Sequence, residues 1–600
     1  MKFLLFTIEL IQNYSFMGVI HRTLGDKGYI LLLSIVVGVI SGTAAVLLKL
    51  FAHGCHDLAR LLAERLPWMM WILPVVPAIG IFGCIVIVRL FFNKGPYEKS
   101  LAGVIMATTN GTSDLPRSKT YSHIITSGLA VGMGASAGLE APIALTGSAI
   151  GSNVAKVLQL GRESRTLLLA CGGGAGISAI FNSPVAGALF ACEILLPAFS
   201  VPALVPLLMA SAAAAVISEI FYNQHTFIQL NEGTVWTVTN IPYYVIIGLA
   251  AGLVSAFVIR TSVITAKKFE KYKNVWIRGA VGCLILYVFF LLFPALKGEG
   301  YGYVSDLLRG KESVIAIGSP ISSLFSGPNT LVILLGLLIV IKPFVSAVSV
   351  ESGGDGGIFG PSMFIGAFLG YFISKILNLT GITVIDPVNC IAVGMGGVLA
   401  GVMHAPLTGM FLIAELTGGY KLFVPLMIVV ALSSFISKRI AKHNVYKSMI
   451  VMKGGTPEQK DDAVMMMHKQ LRDLIENDYV PVKQTDTLRT LLKALMKSKR
   501  NIFPVLSDDG AIVGIVRVDN IRPFILDTEL YDMVLVFDIM SPTGPALEAT
   551  DSLHDATRLF ESLRVWNLPV VENGKYLGFV SKAGVFDSYR KMLSTKPDLF

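Results

Sequence analysis

Six hundred residues would make about four soluble domains of ordinary size, yet 53% are hydrophobic, only 15% are charged, and the mean hydropathy is +0.67. Residues 451–600 carry 19 Lys and Arg with 21 Asp and Glu, 40 charges in 150 positions, against 49 in the first 450. This excludes a wholly soluble protein and divides the chain into a polytopic membrane part and a charged tail. It also argues against a nucleic-acid partner, because the tail is −2 and the positive excess of +11 lies in the membrane part.

The start, MKFLLFTIELIQNYSF, lacks a basic n-region and a small-residue cleavage site, so it reads as mature chain forming an interfacial helix. Spans of ordinary membrane length are expected over 29–51, 72–92, 242–264 and 328–349. Between 122 and 220, and again between 357 and 437, apolar runs of roughly 10 to 18 residues are cut by Gly and Pro, short of the ~20 that a crossing helix needs. Helices that stop part-way leave backbone groups at membrane depth, tolerable only where protein or a water-filled path surrounds them, so the pattern points to a transport site. Lys267, Lys268, Lys271, Lys273 and Arg278 form one basic linker, and Lys438, Arg439, Lys442 and Lys447 another. Positive-inside bias places both, and the tail, in the cytoplasm. Cys55, Cys84, Cys171, Cys192, Cys283 and Cys390 all lie in the apolar part without a CxxC pair, and read as packing residues. His53, Cys55 and His56 have no third ligand nearby on a helix, so no metal site is expected.

The membrane part repeats. GGGAGISAIFNSPVAGALFACE (172–193) aligns with GMGGVLAGVMHAPLTGMFLIAE (394–415) at an offset of 222, sharing Gly172/Gly394, Gly174/Gly396, Pro184/Pro406, Gly187/Gly409 and Glu193/Glu415. GLEAPIALTGSAIG (138–151) aligns with GIFGPSMFIGAFLG (357–370) at 219, sharing Gly138/Gly357, Pro142/Pro361, Gly147/Gly366 and Gly151/Gly370. Spacing alone leaves open whether the halves are parallel or inverted. The tail repeats too: TDTL (485–488) recurs as TDSL (550–553), and NIFPVLSDDGAIVGIV as WNLPVVENGKYLGFV. Each unit reads as an amphipathic helix followed by two short strands around a polar turn.

Both membrane repeats carry G-x-x-x-P at the start of an apolar segment, which places Pro142 and Pro361 at the first helical position. The free N–H groups of those first turns, with the positive helix ends, form a binding place for an anion. A cation path would need carboxylates at membrane depth, and the chain offers few. Glu140, inside GLEAP, is the exception; it reads either as complementing the helix dipole or as a tethered anion that leaves when protonated. Its repeat partner is Phe359. Glu193 and Glu415 read as structural, held by backbone or hydroxyl groups. On position alone Tyr446 reads as an interfacial belt tyrosine.

GLEAP resembles the G[KR]EGP motif, and GGDGGIFGP (353–361) the GGxGGxFxP motif, of the CLC chloride channels and chloride/proton exchangers. APLTGMFLIAELTG (405–418) is similar to that family's late helix pair, and VYKSMI (445–450) to its final membrane helix. The resemblance implies an all-α polytopic membrane domain with inverted repeats and broken helices over residues 1–450, forming a homodimer with one anion pathway per subunit. It implies that Glu140 is the external gating glutamate and proton acceptor, and that Tyr446 donates its hydroxyl to chloride or another small anion. Ile358 and Phe359 would line the anion site through their N–H groups, and Gly138, Leu139, Ala141, Pro142, Gly357, Gly360 and Pro361 would form the filter backbone. The family's GSGIP motif is poorly preserved; KSLAGVIMA (99–107) offers Ser100 as the anion-contacting serine. Exchangers of the family often carry two glutamates where this chain reads CEIL, so Glu193 is followed by Ile194, which holds no proton. Channel and antiporter both stay open.

The tail resembles a pair of cystathionine-β-synthase (CBS) domains, an α/β module, over 476–530 and 537–596, after a linker at 451–475. The adenine-nucleotide pattern G-x-x-[ST]-x-x-D is degenerate: Gly514, Arg517 and Asn520 in one copy, Gly578, Ser581 and Gly584 in the other. A regulatory platform is therefore expected in preference to a bound nucleotide. No enzyme activity is expected: Asp355 lies in a membrane segment, but an intramembrane aspartyl protease needs a second membrane aspartate. The other reading is a membrane sensor that signals through its tail without transport. The expected setting is the inner membrane, multi-pass.

Overall fold

The computed structural model describes residues 14–65, 73–92, 98–197, 201–222, 236–315, 317, 319–320, 330–381, 384–455, 471–551, 553–563 and 565–587. The first 13 residues of the expected interfacial helix, linker residues 456–470 and the end of the second tail copy lie outside them. The chain divides into two compact units, Met1–Glu458 and Gln459–Leu599.

The first unit is helical: α1 Tyr14–Arg65, α2 Val76–Phe91, α3 Ala102–Thr109, α4 Ser122–Gly132, α5 Glu140–Val157, α6 Arg162–Phe181, α7 Pro184–Phe190, α8 Leu204–Tyr222, α9 Ile241–Glu270, α10 Val275–Leu292, α11 Tyr301–Leu308, α12 Thr330–Glu351, α13 Phe359–Thr380, α14 Pro387–Met403, α15 Pro406–Leu416, α16 Phe423–Ile440 and α17 Val445–Met452. Among the described residues, eight helices are long and apolar enough to cross a membrane. The expected span 29–51 lies inside the much longer α1, which kinks at Gly25 and continues past residue 51 because no Pro interrupts its polar end. The expected span 72–92 yields a helix of 16 residues, since Pro77 starts it late. Chain-breaking Gly and Pro cut α7 to 7 residues and α15 to 11.

The duplicated glycines explain the packing. A Cβ at Gly147 would run into the carbonyl of Gly172, and one at Gly151 into that of Leu168; 219 to 222 residues later, Gly366 meets Gly394 and Gly370 meets Cys390 in the same way. Thus α5 crosses α6, and α13 crosses α14, with backbones in direct contact, the approach that small residues allow in a membrane. The halves also exchange ends. Glu193, in the π-type turn that closes α7, accepts from Leu407 N (3.1 Å), Thr408 N (2.7 Å) and Thr408 Oγ1 (2.7 Å) at the start of α15. Glu415, on α15, accepts from Val185 N (3.0 Å) and Ala186 N (2.9 Å) at the start of α7. Such reciprocal contacts are those of a two-fold relation. The six cysteines are free and buried.

The second unit holds two sheets. β1 (Val482–Lys483), β2 (Ile502–Leu506), β3 (Ile512–Arg517) and β4 (Ser541–Pro542) lie in that order, with β1–β2 parallel and the other pairs antiparallel. β5 (Leu547–Glu548), β6 (Asn567–Glu572) and β7 (Lys575–Ser581) repeat the first three. Helices α18 (Leu488–Lys497) and α21 (Leu553–Leu563) follow β1 and β5 respectively, and α19 (Val518–Ile521) and α20 (Val536–Ile539) are short. The duplicated aspartates act alike: Asp486 accepts from Lys483 N (2.7 Å) and Asp551 from Glu548 N (2.8 Å). The copies trade strands, because Ser541 pairs with Ile515 of the first and Glu476 with Phe579 of the second.

Candidate functional site

The two loops ahead of α5 and α13 meet. Gly138 N donates to Gly357 O (2.9 Å) and Gly357 N to Gly138 O (2.8 Å), a two-residue antiparallel bridge. The approach needs glycine: a Cβ at Gly357 would press on Ala141, and one at Gly138 on the Glu140 carboxylate. Two positive helix ends are thereby brought together inside the membrane unit.

Leu139 and Ile358 are the N-caps, and Glu140 and Phe359 are the first helical residues. Pro142 and Pro361 are therefore third, not first, in their helices. The third N–H also lacks an intrahelical partner, so proline is tolerated there and the N–H groups ahead of it are left to other acceptors. Glu140 is 1% exposed. Its Oε2 accepts from Gly360 N (3.3 Å) of the other half, and its Oε1 from the Tyr301 hydroxyl.

Ser100, Ala141, Gly357, Ile358 and Tyr446 share the wall of a cavity of about 290 Å³. Tyr446 is 4% exposed, and its hydroxyl has no hydrogen-bond partner among the described residues. The belt reading of Tyr446 is thus corrected: Asn444 caps α17 by accepting from Lys447 N (2.8 Å), which turns the tyrosine inward. Lys99, Arg278 and Lys453 line the same cavity, opposed by Glu98, Glu270 and Glu351. Phe359 does not line it; its ring packs on Phe181 (5.7 Å between centroids) and Phe190 (6.1 Å).

Sequence reasoning missed several residues that set this geometry. Lys99 donates to Gly353 O (2.6 Å) and Gly354 O (3.0 Å) and so pins the loop ahead of α13. Asp355 is buried against His123 Nδ1 (2.7 Å) and the Thr126 hydroxyl, so its neighbour is an imidazole and not a second aspartate. Tyr301 bonds Glu140 directly, Glu299 bonds the neighbouring Leu139 N, and Lys342 holds the turn that carries both through Leu296 O and Gly298 O. For Lys342, inside the apolar run of α12, an ionisable residue at membrane depth was the available signal.

In the tail, the polar groups at the nucleotide positions are engaged within the protein. The Ser581 hydroxyl is bonded to Glu476 Oε1 (2.7 Å), Asn520 Nδ2 holds Ile539 O and Ser541 Oγ (both 3.1 Å), and Gly584 carries no acid.

The family model described as voltage gated chloride channel matches residues 80–438, and the CBS domain model matches 471–527 and 536–590. A ClcB-like protein of Ralstonia nicotianae is 29% identical over 374 residues, 61% of this chain and 82% of the relative. A slow cyanobacterial Cl−/H+ antiporter superposes with a TM-score of 0.59 at 21% identity, over 71% of this chain and 97% of its own. A eukaryotic CLC transporter does so with 0.58 at 18% identity, over 92% and 97%.

Proposed function

This chain belongs to the voltage-gated chloride channel family, and we propose from that premise that it moves chloride through one pathway per subunit, gated by Glu140. The anion enters the cavity that Lys99, Arg278 and Lys453 line together with Glu98, Glu270 and Glu351. It sheds water in exchange for the N–H groups at the starts of α5 and α13 and the Tyr446 hydroxyl. Further passage requires the Glu140 carboxylate, an anion on the same helix ends, to leave. External acid neutralises that carboxylate and opens the path. Ser100, on the cavity wall, would contact the anion, and Gly138, Leu139, Ala141, Pro142, Gly360 and Pro361 would shape the filter. The protein would sit as a homodimer in the inner membrane, with its basic linkers and tail in the cytoplasm.

The observation that carries this reading is the Gly138–Gly357 bridge joining two helix starts, beside a buried tyrosine hydroxyl without a partner among the described residues. A sensor that transports nothing would leave that arrangement without a reason. The test uses purified protein in chloride-loaded liposomes: efflux should rise as the outside is acidified, and Glu140→Gln should remove the dependence. A Glu140→Gln variant that keeps the wild-type pH response would overturn the gate. Protons driven uphill by a chloride gradient would establish antiport. With Ile194 where a second glutamate would carry protons, the expected result is chloride flux without them.

A further inference from the structure

A second carboxylate sits on the same pair of helix starts. Glu299 lies in the turn GEGY ahead of α11, between Gly298 (φ 62°) and Gly300 (φ 92°). Its Oε1 accepts from Leu139 N (3.1 Å), at the head of α5, while Glu140 Oε2 accepts from Gly360 N in α13. Each helix start therefore holds one carboxyl group. Two residues on, Tyr301 donates its hydroxyl to Glu140, so one short turn grips both.

The turn is firmly held. Gly298 N donates to Gly134 O (2.9 Å), and Lys342, buried on α12, donates to Leu296 O (3.1 Å) and Gly298 O (2.9 Å). A side chain at Gly300 would run into Phe364. The titratable and charged groups whose fields act on Glu299 are Glu140 from α5, Tyr301 from its own turn, Lys49 from α1 and Lys342 from α12. Two carboxyl groups thus act on each other, and like charges disfavour simultaneous ionisation, so the sites titrate as a set.

We propose that Glu299 is a second outer gate residue, whose charge sets the external pH at which Glu140 releases its helix start. This rests on the reading of Glu140 as the gate. Glu299→Gln keeps an oxygen for Leu139 N–H but removes the charge, so Glu140 takes up its proton less readily. The midpoint of the external pH response should move about one pH unit toward acid, a tenfold change in proton concentration. Lys342→Met, which removes a facing cation, should move it the other way. Should Lys342→Met fail to fold, Glu299→Ala supplies a second measurement with the same acid shift.

The assay is chloride efflux from liposomes carrying the full chain, measured against external pH for wild type, Glu140→Gln and these variants. An acid shift in Glu299→Gln, with the response absent in Glu140→Gln, supports the proposal. A Glu299→Gln midpoint equal to that of wild type, with the response still lost in Glu140→Gln, overturns Glu299 alone. A pH response that survives Glu140→Gln overturns the gate and this inference together.

Discussion

In the first half of the membrane unit α5 opens with Glu140; 219 positions later, at the same place in the second half, α13 opens with Phe359. Around them the halves are alike: the same glycines cross the same helices, and each half's last glutamate is seated on the other's short helix. What the halves share is fixed by backbone contact, where a single Cβ would force two helices apart. What they do not share is one side chain at each helix start, a carboxylate on Tyr301 and Gly360 in one and a ring on Phe181 and Phe190 in the other. Packing preserves the duplicate, and the asymmetry falls at the proposed gate.

The strongest way to break that comparison is at the glycines. Gly147→Val and Gly366→Val each drive a side chain into a facing carbonyl, so both should abolish folded, monodisperse protein on size-exclusion chromatography. If one half tolerates the change, the two crossings are not equivalent. Next in size is Phe359→Glu, which gives the second half its own carboxylate. Efflux at neutral external pH should fall about tenfold and recover in acid, roughly 1.4 kcal/mol in rate; an unchanged flux would mean that the second helix start does not face the pathway. The exchanged caps sharpen the comparison further. Glu193→Gln and Glu415→Gln should each cost about 1–3 kcal/mol, read as a lower thermal midpoint, with Glu193 the more costly because it accepts three hydrogen bonds to the other's two.

The smallest effect is expected in the tail, whose repeats carry their charges at the surface. Arg500 lies 2.8 Å from both Asp478 and Glu476, and its bond to Asp478 holds that carboxyl below the usual range. A carboxyl held low contributes stability above its unfolded value near pH 4, and the contribution fades as pH falls through the lower folded value. Arg500→Gln should therefore leave the tail's melting slightly less acid-sensitive below about pH 4, a difference that circular dichroism of the full protein would show; exposed pairs of this kind contribute little.

The repeat, the broken helices and the meeting of Gly138 with Gly357 were legible because glycine and proline declare where backbones turn or touch. The position of the prolines was misjudged by two residues, since the first three helical N–H groups are equally free and sequence does not say which one proline occupies. Tyr446 was legible only through the resemblance: a tyrosine near the end of an apolar run looks the same at a lipid interface and in a buried cavity. Glu299 and Lys342 lie in stretches that composition assigns to a loop and a plain span. Their role depends on three elements, α1, α5 and α12, whose juxtaposition no local pattern encodes.

The exchanged caps bear on biogenesis. The start of α7 stays uncapped until the ribosome has delivered Glu415, some 230 residues later, and Glu193 has no helix to hold until Leu407 and Thr408 emerge. The first half therefore inserts with these two contacts still unmade. The same exchange makes the halves natural complements: two fragments cut between Tyr222 and Ile241, made together in one cell, would each carry the acid that the other lacks.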